Sequence, residues 1–484
     1  MSLEYNFSRD LLLGPDLTRA RLMVETHRDI GLPRLRHLYY LGGLGNGIVP
    51  SVINYEFQTP PTDPTIIKGR QDLVRILMGL DEDSFTQIER AVASMPHVVK
   101  ESSDNSQTLL LAGMSGMDSQ YVLEQLTNHL PKKSLYWRVH DGIGLLDNTT
   151  TLNDIVSKWN QMKSEAFTAT VHKKNRTISY DDLLEGRIEL NLRADLEREF
   201  DKPYQKRLLA LTDTLSSFFN QLYPVLSFYV TLAKFGRSLK KMQVGGKESD
   251  ICCFPEISDK AGHAEVIGFY NPLLGLPEHI GGFSLSYGNN AGAVLSYQSM
   301  VYAHDYWSST DRTHVVLGRN KGSKSTYIVG RGVMQLMAQI GSPIPATSAV
   351  IGPVSAIGSV FLNQVSIGAG QSTFSDALNK FGRCLDTVVT SSGLILLDDA
   401  TEGTDTDNSR DYMNTILELL GRLDAVAYIA TQQQRLYHEK PRPKAVFYTT
   451  VPNTYGINRL SGEMMPEQVN WRTVAIGTEL EKHL

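Results

Sequence analysis

One stretch constrains this chain more than any other. An apolar run, Val315-Val316-Leu317, passes directly into Gly318-Arg319-Asn320-Lys321-Gly322-Ser323-Lys324-Ser325, and a helix-like run follows from Thr326 to Ile340. Strand, glycine-bearing loop and helix in that order nearly reproduce the spacing G-x-x-x-x-G-K-[ST]. In that pattern backbone N–H groups at a helix N-terminus gather phosphate, the lysine neutralises it and the hydroxyl ligates Mg²⁺. The residues predicted to surround a nucleotide are therefore Gly318, Asn320, Gly322, Ser323, Lys324, Ser325 and Thr326, with Ser325 also on the metal. Ser323 stands where the pattern has glycine. A side chain in a strained conformation there costs about 1–2 kcal/mol, which weakens phosphate binding without abolishing it.

A second element belongs with the first. Leu394-Ile395-Leu396-Leu397 ends in Asp398-Asp399, an apolar strand delivering carboxylates to its C-terminal edge, where open α/β sheets bind their ligands. Asp398 is placed to support Mg²⁺ through water, and Asp399 to act as the base for an attacking water.

The rest of the chain divides around these signals. Residues 1–60 carry a glycine-rich patch at 42–47, read as a turn, and are an N-terminal segment of unknown role. The run Thr59 to Pro64 marks a boundary, because proline removes donors and disfavours helix before it. Residues 61–255 read as mainly helical, with apolar spacing at Leu73, Ile76, Leu77 and Leu80. A long stripe from Lys206 to Lys241 is interrupted at Pro224. After Val244-Gly245-Gly246 the texture changes, and β-rich runs at His314–Leu317, Leu394–Leu397, Ala425–Ala430 and Ala445–Val451 alternate with helical ones. Residues 262–484 are thus expected to form an α/β domain with a mainly parallel sheet.

Composition narrows the function. A net charge of -5 argues against a surface built wholesale for phosphate backbones, leaving local basic clusters at His172–Arg176, at Arg237 with Lys240 and Lys241, and at Lys440–Lys444. Three cysteines suit neither a disulfide framework nor a metal knuckle. No secretory signal or bilayer span is read, so the expected setting is cytoplasmic and off the membrane. The histidines show no zinc-like spacing, and no nucleophile elbow is present.

The C-terminal half resembles the ATPase domain of the MutS family of DNA mismatch-repair proteins. That family's phosphate loop and following G-x-x-V-P-A appear as Gly318–Thr326 and as Gly341-Ser342-Pro343-Ile344-Pro345-Ala346. Its G-x-S-T-F segment appears as Gly370–Phe374, and its D-E-x-G-R-G-T as Asp398–Thr404. Thr431-Gln432 stands for its T-H switch, Thr454–Ile457 for its S-Y-G-I, and Asn271-Pro272-Leu273-Leu274 for its entry into the domain.

The resemblance implies a multidomain α and α/β chain, with a helical core/lever domain at 61–255 followed by a P-loop ATPase domain of the ABC type. It implies ATP and Mg²⁺ as cofactors, a homodimer through the ATPase domain, and double-stranded DNA as a partner. By similarity Ser372 reaches across the dimer to the γ-phosphate of the partner's nucleotide, and Lys324 and Asp399 complete the catalytic set. Val301 and Tyr302 align with the pair near the adenine. The chain looks like a truncated member, with no room for the mismatch-reading, connector or clamp domains. Asp399 replaces a glutamate, Glu402 an arginine and Gln432 a histidine, and a misplacement of about 1 Å costs on the order of 10²-fold in rate. Two expectations follow: a slow ATPase coupled to mismatched or branched DNA, or a non-hydrolysing nucleotide-binding scaffold.

Overall fold

The computed structural model describes residues 25–33, 35, 39, 56–94, 157, 168–171, 176–179, 223–240, 243–244, 247–248, 252–269, 271–274, 304–306, 312–318, 324–361, 373–388, 392–400, 406–423, 425–433, 436, 445–452 and 471–475. The chain divides into two units. One comprises Met1–Gly42, Asn54–Lys68 and Phe235–Leu484, the other Gly43–Ile53 and Gly69–Lys234.

The helices begin where local chemistry says they should. In α1 (Pro64–Gly79) proline opens the helix and Asp63 Oδ1 accepts the Thr65 N–H at 2.8 Å, a capping arrangement. In α2 (Glu82–Ser94) Asp81 caps through Ser84 N–H and Ser84 Oγ, both at 2.8 Å. Those hydrogen bonds hold the Asp81 carboxyl below its usual range.

A two-stranded antiparallel ribbon, β1 (Thr168–Val171) and β2 (Arg176–Ser179), stands within the half read as mainly helical. Thr-Ala-Thr-Val and Arg-Thr-Ile-Ser are rich in β-branched residues, which favour a pleated strand over a helical turn. Helix α3 is described at 223–240, so the earlier part of the predicted stripe lies outside the described residues. Most of α3 is buried on every side, as a helix apolar all round must be. Within the second unit Lys234 of α3 pairs with Glu89 of α2 at 2.7 Å. The Arg70 guanidinium lies 5.5 Å from the centre of the Phe228 ring.

The first unit contains a small ribbon, β3 (Gln243–Val244) with β4 (Lys247–Glu248), and two larger sheets. Strands β5 (Glu256–Ile257), β6 (Ala264–Phe269), β7 (His304–Tyr306) and β9 (Ser348–Ile351) form a mixed sheet in the order β5-β9-β6-β7. The main sheet combines β8 (Thr313–Leu317), β10 (Ala356–Phe361), β11 (Gly393–Asp398), β12 (Val426–Thr431), β13 (Val446–Pro452) and β14 (Trp471–Ala475). Its order is β10-β11-β12-β8-β13-β14; the first five are parallel and β14 is antiparallel. The mainly parallel α/β sheet expected from the alternating texture is present.

Helix α4 (Lys324–Gln339) follows β8, α5 (Thr373–Val388) precedes β11, and α6 (Thr406–Leu420) connects β11 to β12. Phe381 and Cys384 of α5 and Met413, Ile416 and Leu417 of α6 share one core with Val315, Ile395, Leu397, Ala427 and Ile429 of the strands. Alternate strand residues face the other way, and Leu396 meets Gly332 of α4 there. Helices on both faces explain why β8, β11 and β12 are buried at every position.

Candidate functional site

The parallel register lines up the C-terminal ends of the strands. Leu317 of β8 is opposite Thr431 of β12, Asp398 of β11 is opposite Ala430 of β12, and Phe361 of β10 is opposite Asp398. Gly318 is buried immediately after β8, and α4 opens at Lys324, itself only 4% exposed. The lysine thus sits in the first turn of a helix, where unbonded backbone N–H groups gather and anionic ligands are favoured. Ser325 is exposed and Thr326 half-buried beside it. Asn271 pins this first turn: its Nδ2 donates to the Thr326 carbonyl at 3.2 Å, while its Oδ1 accepts the Leu273 N–H at 3.0 Å.

Asp398 ends β11 with 4% exposure. Two residues before it, Leu396 faces α4, so the period of two puts Asp398 on that same face of the sheet. The two intervening strand spacings separate β11 from β8 by roughly 9–10 Å. Asp399 leaves the strand with φ +47°, a left-handed conformation uncommon for a residue with a Cβ, and donates its N–H to the Ala430 carbonyl at 3.0 Å. Thr431 closes β12 with its Oγ1 accepting the Gln433 N–H at 3.3 Å, and the Gln433 amide donates to Ser409 of α6.

Gly318, Lys324, Ser325, Thr326, Asp398 and Asp399 therefore lie along one edge of one sheet. Asn320, Gly322, Ser323, Val301, Tyr302 and Ser372 lie outside the described residues, as do Gly370, Gln371, Thr401–Thr404 and Thr454–Ile457. Among the described residues no group of three or more His, Cys, Asp and Glu is placed to hold a metal. Magnesium does not require one, because it is commonly bound by one or two carboxylates, waters and substrate phosphates. A buried carboxylate, a hydroxyl and an ammonium at a helix N-terminus suit a magnesium nucleotide in their donor chemistry.

Beneath this edge runs a buried polar column that the sequence reading missed. On α4, Arg331 Nη1 donates to Gln335 Oε1 at 2.6 Å, and Gln335 Nε2 donates to Gln339 Oε1 at 2.7 Å. Gln339 Nε2 then donates to the carbonyls of Pro61 and Val354, each at 2.9 Å. The Arg331 guanidinium lies 5.3 Å from the Tyr428 ring centre, on which His314 stacks at 4.4 Å. Burial, and then the Arg331 charge, push the His314 pKa down to about 3. The signal was present in the sequence as three polar residues at i, i+4 and i+8 of an otherwise apolar helix.

These features define an open parallel α/β domain whose candidate ligand groups converge at the C-terminal edge of the sheet. Residues 314–462 match the family described as MutS domain V. That stretch, under a third of the chain, is what the chain shares with the MutS family. The chain is 30% identical to the DNA mismatch repair protein MutS of Chlorobium phaeovibrioides, over 37% of this chain and 22% of that protein. It is 35% identical to the DNA mismatch repair protein MutS of Acetivibrio thermocellus, over 26% of this chain and 14% of that one. With human DNA mismatch repair protein Msh3 the identity is 36%, over 21% of this chain and 9% of the human protein. The chain thus spans under a quarter of the length of these curated relatives.

Proposed function

We propose that this chain is a MutS-like ATP-binding protein, acting as a dimeric, Mg²⁺-dependent ATPase that couples nucleotide state to mismatched or branched DNA. The observation that carries the reading is the buried Lys324 at the start of α4, directly after β8, on a sheet edge that also bears the buried Asp398. In this reading the loop 318–323 and Lys324 hold the phosphates, Ser325 and Asp398 hold the magnesium, and Asp399 orients the attacking water. The metal would neutralise charge on the phosphates. Residues 61–255 serve as the helical core and lever, with DNA as a partner by analogy with the relatives named for mismatch repair.

A second reading has its own support. Asp399 is a methylene shorter than glutamate and is turned out of its strand, so water can be held too loosely for turnover while phosphate still binds. The protein would then be a nucleotide-bound dimerisation scaffold. Titration with a fluorescent ATP analogue, together with Mg²⁺-ATP turnover, separates the readings. Wild type is expected to bind and turn over slowly, and Lys324→Ala to lose binding with an unchanged circular-dichroism spectrum. Binding without turnover selects the scaffold, and no binding to wild type removes both.

A further inference from the structure

Arg331 is a cation sealed inside the first unit with no anion beside it. Its side chain on α4 is 0% exposed. Nη1 donates to Gln335 Oε1 at 2.6 Å and Nη2 to the Gly262 carbonyl at 3.4 Å, while Nε makes no hydrogen bond. The guanidinium carbon lies 5.3 Å from the Tyr428 ring centre, and burial raises the Tyr428 phenol above its ordinary range, so that ring supplies no negative charge. All of these partners are neutral, and among the described residues no carboxylate pairs with Arg331. Taking a charge out of water is unfavourable by several kcal/mol unless an opposite charge or a full set of hydrogen bonds replaces the lost hydration. A lysine so placed could shed its proton, whereas a guanidinium stays cationic. His314 registers that charge: its imidazole is held neutral by burial first and by Arg331 second.

The charge lies beneath the candidate site, on the same helix. Arg331 follows Lys324 by seven residues of α4, a rise of about 10 Å. Tyr428, which the guanidinium covers, stands three residues before the end of β12, again roughly 10 Å below the sheet edge. Tyr428 is opposite Leu396, and Asp398 ends β11 two residues beyond Leu396. Around the guanidinium are the buried rings of Tyr327, His314, Tyr428 and Tyr448. Such a layer screens a charge far less than water does, so the field of Arg331 reaches the edge where Lys324 and Asp398 stand.

We propose that Arg331 is a buried electrostatic determinant of nucleotide affinity, its field adding to that of Lys324 and favouring the more negative of two phosphate ligands. This rests on the ATPase reading above. The bound phosphates then supply the opposite charge that the fold leaves out. Arg331 touches no phosphate; it is a specificity-determining residue and not a catalytic one. Its hydrogen bond to Gln335 gives it a structural role as well, but hydrogen bonding within α4 is indifferent to the charge on the ligand, and a field is not.

The test uses the full chain as wild type, Arg331→Met and Arg331→Gln. Affinities for ATP and ADP are measured by competition against the fluorescent ATP analogue, once with Mg²⁺ and once in EDTA. Both substitutions remove the charge; methionine fills the space with apolar atoms, and glutamine keeps a donor for Gln335. Both variants are expected to lose affinity in the order of ligand charge, about tenfold for free ATP, about fourfold for its magnesium complex, and least for the magnesium complex of ADP. Equal losses for all ligands overturn the proposal, as does unchanged affinity in folded variants. A glutamine variant that binds like wild type while the methionine variant does not assigns the effect to hydrogen bonding and also overturns it. Should Arg331→Met fail to fold, Arg331→Gln carries the comparison, and loss of the circular-dichroism spectrum in both shows that the side chain serves the fold, which overturns the proposal too. A wild type that binds neither nucleotide removes the ATPase reading itself; a wild type that binds both, with ungraded variants, removes only the role of Arg331.

Discussion

At the scale of single residues, His314 makes the sharpest prediction. Its imidazole is buried, stacks on Tyr428 and has Nδ1 3.1 Å from the Tyr448 hydroxyl, and its pKa is lowered from 6.5 to about 3 by burial and by Arg331. Between those values the unfolded chain binds a proton that the folded chain does not. Stability is therefore full above about pH 6.5 and falls as pH drops toward 3, by up to about 1.4 kcal/mol per pH unit. His314→Phe keeps a ring on Tyr428 and removes the titration. In urea unfolding its loss of stability from pH 7 to 4.5 should be smaller than that of wild type by about 2–3 kcal/mol, against a cost of about 1 kcal/mol at pH 7. An identical acid response in the variant would contradict the buried neutral imidazole. Arg331→Met, by removing the second cause of the shift, should raise the His314 pKa and shrink the acid loss in the same measurement.

Among elements, the contrast between β11 and β10 shows what the sequence could reveal. β11 is an unbroken apolar run ending in two aspartates, and β8, β12 and β13 read nearly as plainly, because apolar and β-branched residues dominate them. β10 reads Ala-Ile-Gly-Ser-Val-Phe, and no strand was anticipated there. Its glycine and serine answer to tertiary neighbours. A Cβ on Gly358 would lie 3.0 Å from Cys384 Sγ and 3.2 Å from its Cβ, so only glycine lets α5 sit this close. Ser359 donates its hydroxyl to the buried Asp29 at 2.6 Å. Neither reason is local, which is why propensity and periodicity miss the strand. The same applies to residues 25–39, where Glu25 and Asp29 gain meaning only from Arg383 and Lys380, more than three hundred positions away. Gly358→Ala should force α5 off the sheet and cost about 1–3 kcal/mol in thermal or urea unfolding. Cys384→Ala on that background, by removing the nearer sulfur, should recover part of the loss. Full stability of Gly358→Ala would mean that the helix is not held as described.

For the whole molecule the question is nucleic acid. An acidic chain with a net charge of -5 cannot bind DNA through its overall field, so any affinity must come from a few local cations and must fall with salt in proportion to their number. The densest cluster in the helical half is His172-Lys173-Lys174-Asn175-Arg176. Arg176 opens β2 and pairs with Val171 of β1, and Lys173 and Lys174 stand between those two positions in the sequence. Under the proposed function, fluorescence anisotropy with a mismatched or branched duplex should give a plot of log affinity against log salt with a slope of about -2 to -4. Lys173→Glu combined with Lys174→Glu should flatten that slope by about 2 and weaken binding to all duplexes alike, because phosphate contacts position without reading sequence. The affinity for the ATP analogue should stay unchanged in this variant. A slope equal to that of wild type would move the DNA contact to another cluster, with Lys440–Lys444 as the next to substitute, and a wild type without measurable affinity at low salt would remove DNA from the proposed function.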